Sequence, residues 1–389
     1  MTLVATASTN RRDREAGEDL AAQISTGLGG ESPDALLVFA SSQNDYGLLL
    51  EALQAGCCPG TLIGCSSAGE FTSDSDGTGR SSAIAIRAPD MRFAAVSARG
   101  LATDHASAVR QIVGGFRGLD SVEYRYRTAI ILVDALAGHA EEIVDQLTQA
   151  TAGMYRFAGG GAGDDGQFSR THVFMGTAAH TDAMVALEIL SNKPIGIGSR
   201  HGWTAKSDPL RVTETADACV LSFNVAPAIE AYETHAAATG QSFDHADPMP
   251  FFLHNIMGVK TDEGHKLRVP LGIAPHGGIN YAAEIPLGTT AQIMTIPPDA
   301  AVDAAASAAR DAMEQVTDEG HAPAAALFLD CVATRLRLGR QFDDELAAVG
   351  GVLGETPFAG FNSYGQIVRA EGQFSGFHNC TAVVVVFPD

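Results

Sequence analysis

Leu36-Leu37-Val38-Phe39-Ala40-Ser41-Ser42, then Gly64-Cys65-Ser66-Ser67-Ala68-Gly69-Glu70, then Ala83-Ile84-Ala85-Ile86 is the stretch whose reading decides the fold. An apolar strand runs into small and polar residues. A helix follows, and a Gly-bounded loop then leads to a further apolar strand. The order returns with Ile130-Ile131-Leu132-Val133-Asp134, Gly159-Gly160-Gly161-Ala162-Gly163-Asp164-Asp165 and Val185-Ala186-Leu187-Glu188-Ile189. It returns again with Leu327-Phe328-Leu329-Asp330-Cys331, Gly360-Phe361-Asn362-Ser363-Tyr364-Gly365-Gln366 and Ala382-Val383-Val384-Val385-Val386-Phe387. A Gly followed at once by Glu, Asp or Gln closes each loop. Glycine there lets the backbone take positive φ or approach another group closely. The chain has 42 Gly, so a Gly pair at this spacing arises easily by chance, but the order of elements around it does not. The recurrence predicts an α/β protein of mixed sheets with outer helices, built from repeated strand–helix–Gly loop–strand units. The three loops should lie at strand ends, where ligands bind, with at least two facing a shared cleft.

Length and composition bound the rest. A chain of 389 residues suggests two or three domains, each with its own core. No apolar run approaches the roughly 18 residues that span a bilayer, and Met1 to Arg14 lacks the apolar core of a signal peptide. The expectation is a cytoplasmic protein without membrane insertion. A net charge of -21 argues against a nucleic-acid partner, because no basic surface exists to release counterions. Cys57, Cys58, Cys65, Cys219, Cys331 and Cys380 form no CxxC pair, so a thiolate zinc site is not indicated and all six read as thiols.

Helices are read at 13–28, 46–55, 105–116, 141–149, 226–238 and from Pro298 to about Val316, the last opened by Pro297-Pro298-Asp299. Residues 82–98 read as two strands joined by Ala88-Pro89-Asp90. Strands recur at 170–175, 184–189, 267–273, 279–285 and 292–295. The segment 240–262, with weak periodicity, reads as a mobile or partner-facing loop. Hairpins mixed with βα units predict mixed rather than purely parallel sheets.

The chemistry-bearing patterns are incomplete. Gly64 to Gly69 misses the Gly-x-Ser-x-Gly nucleophile elbow by one residue for either serine. Backbone amides at that turn could still lower the Cys65 pKa, so an enzyme using Cys65 or Ser67 remains as an alternative. The Gly159 to Gly163 loop has no Lys-Ser/Thr pair for a P-loop, and Asp164 and Asp165 would repel a phosphate. The 12 His form no HExxH or HxH, so no metal site is indicated. A lone His can be an axial haem ligand without any motif. His139, His201 (two residues before Trp203) and His378 are the candidates for that role.

Taken in series, these segments resemble a known family. Ile63-Gly64-Cys65-Ser66-Ser67-Ala68-Gly69-Glu70, Gly159 to Asp165, His201-Gly202-Trp203 and Val212-Thr213 resemble the signature of the FIST domain family of bacterial sensory proteins. Leu329-Asp330-Cys331, Gly360 to Ile367 and His378-Asn379-Cys380-Thr381 resemble its companion C-terminal domain. The resemblance runs from about Leu36 to Phe387 and implies two domains, 1–222 and 223–389. The family is similar to small-ligand sensors, with amino acids a proposed ligand class, often joined to output domains. A subset resembles stand-alone haem proteins that sense nitric oxide and regulate a histidine kinase. This chain departs from the pattern twice. Gln366 stands where Glu usually follows Tyr-Gly, and the usual Cys-x-x-Arg is displaced, with Arg335 and Arg337 the nearest arginines.

The expectation is therefore a non-catalytic sensor that binds an amino-acid-like or other carboxylate- or amide-bearing metabolite. It would signal to a separate partner protein such as a histidine kinase. A haem-based nitric oxide sensor is the alternative. The ligand-binding candidates are Ser66, Ser67, Glu70, Asp164, Asp165, Arg335, Asn362, Tyr364, Gln366 and Asn379, with Arg337 in reserve for Arg335. An amide, a phenol and a guanidinium together suit a carboxylate or amide ligand.

Overall fold

The computed structural model describes residues 1–373 and 375–389, with Pro298 described by its backbone alone. The first third of the chain runs β1 (Leu3–Thr9), α1 (Asp13–Gly27), β2 (Ala35–Ser41), α2 (Tyr46–Cys57), β3 (Leu62–Ser67), β4 (Glu70–Thr72), β5 (Ser75–Gly77) and β6 (Ser81–Arg87). The middle runs β7 (Met91–Arg99), α3 (Leu101–Gly114), β8 (Tyr126–Val133), α4 (Ala140–Ala150), β9 (Arg156–Gly161), β10 (Val173–Met175), β11 (Ala178–His180), β12 (Ala183–Ser191) and β13 (Gly196–Arg200). An insert follows: β14 (Thr204–Ala205), β15 (Leu210–Ala216), β16 (Cys219–Phe223), β17 (Ala226–Pro227), α5 (Ala228–Thr239), α6 (Met249–Phe252), β18 (Ile256–Thr261), β19 (Gly264–Arg268), β20 (Pro270–Ile273), β21 (Ile279–Tyr281) and β22 (Thr290–Thr295). The chain closes with α7 (Pro298–Thr317), β23 (Pro323–Cys331), α8 (Val332–Leu338), α9 (Phe342–Leu353), β24 (Phe358–Ser363), β25 (Gln366–Arg369), β26 (Gly376–His378) and β27 (Ala382–Pro388).

Local chemistry explains the elements. Strand β2, ALLVFAS, is buried at every position, because both of its faces are covered. Helix α2 starts where Asp45 accepts a bond from Leu48 N at 3.1 Å, and stops where Cys58 turns left-handed at φ 46°. Pro298 opens α7, where its missing N–H has no cost.

Three six-stranded sheets form the body, with orders β1-β6-β2-β3-β10-β11, β7-β12-β8-β9-β25-β26 and β13-β27-β23-β24-β4-β5. Each holds one parallel pair, β2/β3, β8/β9 or β23/β24, flanked by antiparallel neighbours. The last two strands of each sheet come from elsewhere in the chain. The segment after β9 supplies β10 and β11 to the first sheet, that after β24 supplies β25 and β26 to the second, and that after β3 supplies β4 and β5 to the third. The exchange is cyclic, so none of the three sheets is completed by its own segment.

The glycines that open the quoted loops explain the close fit of the parallel pairs. Gly64, Gly159 and Gly360 lie inside β3, β9 and β24, opposite Val38, Ile131 and Phe328. A Cβ on any of them would sit 1.8 or 1.9 Å from that neighbour's carbonyl oxygen. They are strand residues rather than loop residues, because close approach of the parallel neighbour, not a turn, is what excludes a side chain.

Side chains alternate between layers, as a strand dictates. Leu37, Phe39, Ile63, Ile130, Leu132, Val185, Ile197, Leu327, Phe361, Val383 and Val385 point inward to one core shared by the three sheets. Phe39 stacks on Phe361 across two of them at 4.4 Å. The opposite faces pack under α1 and α2, under α3 and α4, and under α7 and α9. Strand β13 precedes residue 223 yet pairs with β27, so residues on both sides of that position build the third sheet. The insert carries its own nine-stranded sheet and a core around Tyr232, Phe251, Phe252, Met257 and Ile293. Residues 240–262, read from sequence as a mobile or partner-facing loop, hold α6 and all of β18, with Phe251, Phe252 and Asn255 buried. A single helical turn is too short to show a periodicity.

Candidate functional site

The ends of β3, β9 and β24 meet. Ala68 N donates to Asn362 O at 3.0 Å and Asn362 N to Gly69 O at 2.8 Å. Gly163 N donates to Ser66 O at 2.8 Å and Asp165 N to Ser67 O at 3.0 Å. Gly161 N donates to Gly365 O at 2.8 Å and Tyr364 N to Gly161 O at 3.0 Å. Each segment is therefore tied to both others. This junction gathers most of the residues that the sequence singles out, and there they bond to one another.

Ser66 is occupied by the His172 backbone, with His172 N donating to Ser66 Oγ at 2.8 Å. Ser67 donates to Glu70, whose other oxygen accepts from Arg80 N at 3.0 Å. Glu70 is fully buried, and loss of water pushes its pKa up to about 8 against those two bonds. Asp164 accepts from the amides of Phe168, Ser169 and Arg170 and from the Tyr364 hydroxyl. Burial raises its pKa, but these four donors outweigh it and hold the group below the usual carboxylate range. Tyr364 stacks on Phe168 at 4.3 Å. Asp165 clasps the end of β2 through Ser41 Oγ at 2.8 Å and Ser42 N at 2.9 Å. Arg335 grips Asp76 with two bonds of 2.7 and 3.0 Å and donates to Asn362 at 3.1 Å. Gln366 bonds Ser363 and Thr381, and Asn379 accepts from Val269 N.

A second polar cluster lies between the third sheet, its helices and the segment 200–203 that leads into the insert. Asp330 at the end of β23, Thr334 and Arg337 on α8, Glu345 on α9, Cys380, His201 and Trp203 line a small chamber. It encloses about 10 Å³, room for roughly one water. Among the described residues, both oxygens of Asp330, one of Glu345, and Nε and Nη2 of Arg337 are buried with no side chain positioned to bond them, and only the Cys331 backbone reaches towards Asp330. Asp330 and Glu345 are each 1% exposed. Burial drives both carboxyls well up, Asp330 further through Glu345, while Arg337 pulls each partly back. The Arg337 guanidinium lies 5.6 Å from the centre of the Trp203 ring. Behind Asp330, the Cys331 and Cys380 thiols are hydrogen-bonded, and that bond brings the Cys331 pKa down to about 7. The two arginines thus part company, Arg335 to the junction and Arg337 to the chamber. In the sequence Asp330 stands out only within a strand and the family-like segment Leu329-Asp330-Cys331, not as a site residue, and Glu345 does not stand out at all. Fifteen positions separate them with no motif between, and only the packing of α9 on β23 joins them.

The remaining expectations concern histidine and Cys65. His378 is fully buried, and desolvation lowers its pKa to about 3. His201 is half-buried with Nε2 3.2 Å from His265 O, beside the water-sized chamber. Neither has space beside it for a porphyrin plane. His139 is at the surface, with Nδ1 on Glu142 and its ring stacked on His105. His378 and His201, as they are packed, do not fit a haem. Cys65 is fully buried, and burial, with Glu70 adding, raises its pKa well above the ordinary value. That is the reverse of the activation the turn suggested, because the strand end is covered rather than open to water.

The architecture is a threefold arrangement of mixed sheets, and comparison with known families identifies it. The FIST N domain matches residues 34–225 and the FIST C domain matches residues 228–369. The chain therefore belongs to the FIST family, whose domains are sensory, small-ligand-binding signalling modules. No curated protein sequence matches it. Among solved structures it is similar to a cyanuric acid hydrolase from A. caulinodans, at 10% identity over 99% of both chains with a TM-score of 0.32. It is also similar to T. maritima PurL complexed with ATP, at 9% identity over 100% of this chain and 71% of that one, with a TM-score of 0.23. Likenesses this weak carry no argument about function.

Proposed function

We propose that this protein is a non-catalytic cytoplasmic sensor that binds an amino-acid-like zwitterion in the chamber of Asp330, Arg337 and Glu345. The observation that carries the reading is the set of unpartnered buried polar atoms on all three side chains around one cavity. Unpaired buried polar groups are costly. A ligand carboxylate on Arg337 and a ligand ammonium between Asp330 and Glu345 would satisfy them together. Binding a cation would draw the two raised carboxyls into their charged forms and release protons.

The chamber holds about one water, so a metabolite must displace α8 and α9 from the sheet. Gly339 and Gly354, at φ 54° and 61°, end these two helices and can absorb that movement. The displaced helices would then be the surface read by a separate signalling partner, with a histidine kinase as the expected class. A thermal-shift and calorimetric screen of amino acids and carboxylate metabolites tests the reading, with Arg337→Ala and Asp330→Asn beside the wild type. One ligand class should raise the melting temperature of the wild type. Arg337→Ala should weaken its binding by about 1.5–3 kcal/mol, the value of a charge-assisted bond. A screen without a binder, or equal affinity in Arg337→Ala, refutes the assignment.

A further inference from the structure

On the outer face of the second sheet, away from the junction and the chamber, two helices converge on one carboxylate. His105 stands on α3 just after Asp104, whose φ of -153° and ψ of 69° kink the helix. His139 precedes α4 in a left-handed conformation, φ 60°, uncommon for a residue with a side chain. Glu142 is three residues on, in the first turn of α4. The Glu142 Oε2 atom is 3.2 Å from His105 Nε2 and 2.9 Å from His139 Nδ1. The two imidazoles are stacked with centroids 4.4 Å apart and planes 21° from parallel. All three donor atoms lie within 4.8 Å of one another.

We propose that His105, His139 and Glu142 form a binding site for a borderline transition-metal dication of the zinc class. Imidazole nitrogen and carboxylate oxygen bind Zn²⁺ at about 2.0–2.2 Å. Ligands at that radius are about 3.3 Å apart on a tetrahedral edge and about 3 Å apart on an octahedral one. The two nitrogen-to-oxygen separations already match those edges, and an ion entering here needs the two stacked rings to turn until both nitrogens face it. Two nitrogens and one oxygen select Zn²⁺, Ni²⁺ or Cu²⁺ over Mg²⁺ and Ca²⁺, which prefer all-oxygen sites. The side chains are 22%, 35% and 54% exposed, so the ion has a path in, and the fourth position stays open to water or to a donor from another molecule.

An ion here clamps α3 to the first turn of α4. The neighbouring residue, Glu141, holds Lys266 and Arg268 of the insert and accepts from Phe377 N. The site therefore sits beside the contact through which α4 ties the insert to the second sheet. The site is independent of the ligand chamber. The test is titration of the chelator-treated full-length protein with Zn²⁺ by calorimetry and with Co²⁺ by absorption, which separates nitrogen–oxygen from thiolate ligation. One equivalent of Zn²⁺ should bind, Mg²⁺ should not, and the Co²⁺ spectrum should lack thiolate charge transfer. His105→Ala and His139→Ala should each weaken binding at least tenfold, with circular dichroism unchanged because both side chains are at the surface. The proposal is overturned by absence of saturable Zn²⁺ binding, by a thiolate spectrum, or by wild-type affinity in the His105→Ala/His139→Ala double variant.

Discussion

Glu70 should make the protein less stable as pH rises through the neutral range. Its carboxyl is fully buried and its pKa stands at about 8, against an ordinary value of 4.5. A folded-state pKa above the unfolded one means that the folded chain holds the proton more tightly. The associated stability is complete below pH 4.5 and is lost as pH climbs to about 8. Each pH unit in that window removes about 1.4 kcal/mol. Glu70→Gln is the matched perturbation. Protonated Glu70 can donate to Ser67 and accept from Arg80 N, and a glutamine amide can do the same. Other titrating groups cancel when the two proteins are compared. The wild type should lose about 1.4 kcal/mol more than Glu70→Gln between pH 6 and pH 7. Thermal unfolding midpoints across that range read this difference. Infrared difference spectra of the two proteins at pH 6 should also show one protonated carboxyl in the wild type alone. Parallel pH profiles together with an ionised Glu70 at pH 6 would refute the argument, since the charged form would then be adequately held by its two donors.

Other consequences follow from the packing. Arg335→Ala breaks the paired bonds to Asp76 and the stacking on Phe342 at 4.7 Å, and should cost about 3 kcal/mol in thermal or urea unfolding while leaving chamber ligands bound as before. Gly360→Ala places a Cβ 1.8 Å from Phe328 O and 2.6 Å from the Phe71 ring, and should cost more than about 4 kcal/mol or abolish soluble expression. Gly351→Ala, on α9 with nothing within 4 Å, should instead stabilise by about 0.5–1 kcal/mol. Under native maleimide labelling read by mass spectrometry, exposed Cys58 should react first and buried Cys65 should be protected. Fast labelling of Cys65 that also abolished a measurable turnover would restore the enzyme reading.

The class of the fold was legible because its signals are local. An unbroken apolar run such as β2 declares a strand covered on both faces, and α7 is announced by Pro297-Pro298-Asp299. The glycines of β3, β9 and β24 also stand out in the sequence, but their cause is tertiary. They look like loop residues until the parallel neighbour's carbonyl is placed against them. The polar residues around them, expected from sequence to line a ligand site, meet at one junction as partners of one another. Tyr364 on Asp164 and Arg335 gripping Asp76 are partners chosen across 200 and 259 positions. Glu345 and Asp330 face each other only because α9 packs on β23. His105 and His139 meet only because α3 and α4 lie side by side on one sheet. What the sequence determined by itself was the alternation and termination of elements, since these follow from neighbours a few residues apart. The cyclic exchange of β4, β10 and β25 among three sheets was decided only in three dimensions. A strand's edge bonds backbone to backbone, so any partner of suitable direction would satisfy it. Its choice among three similar edges was made by the side chains of a core that all three sheets share.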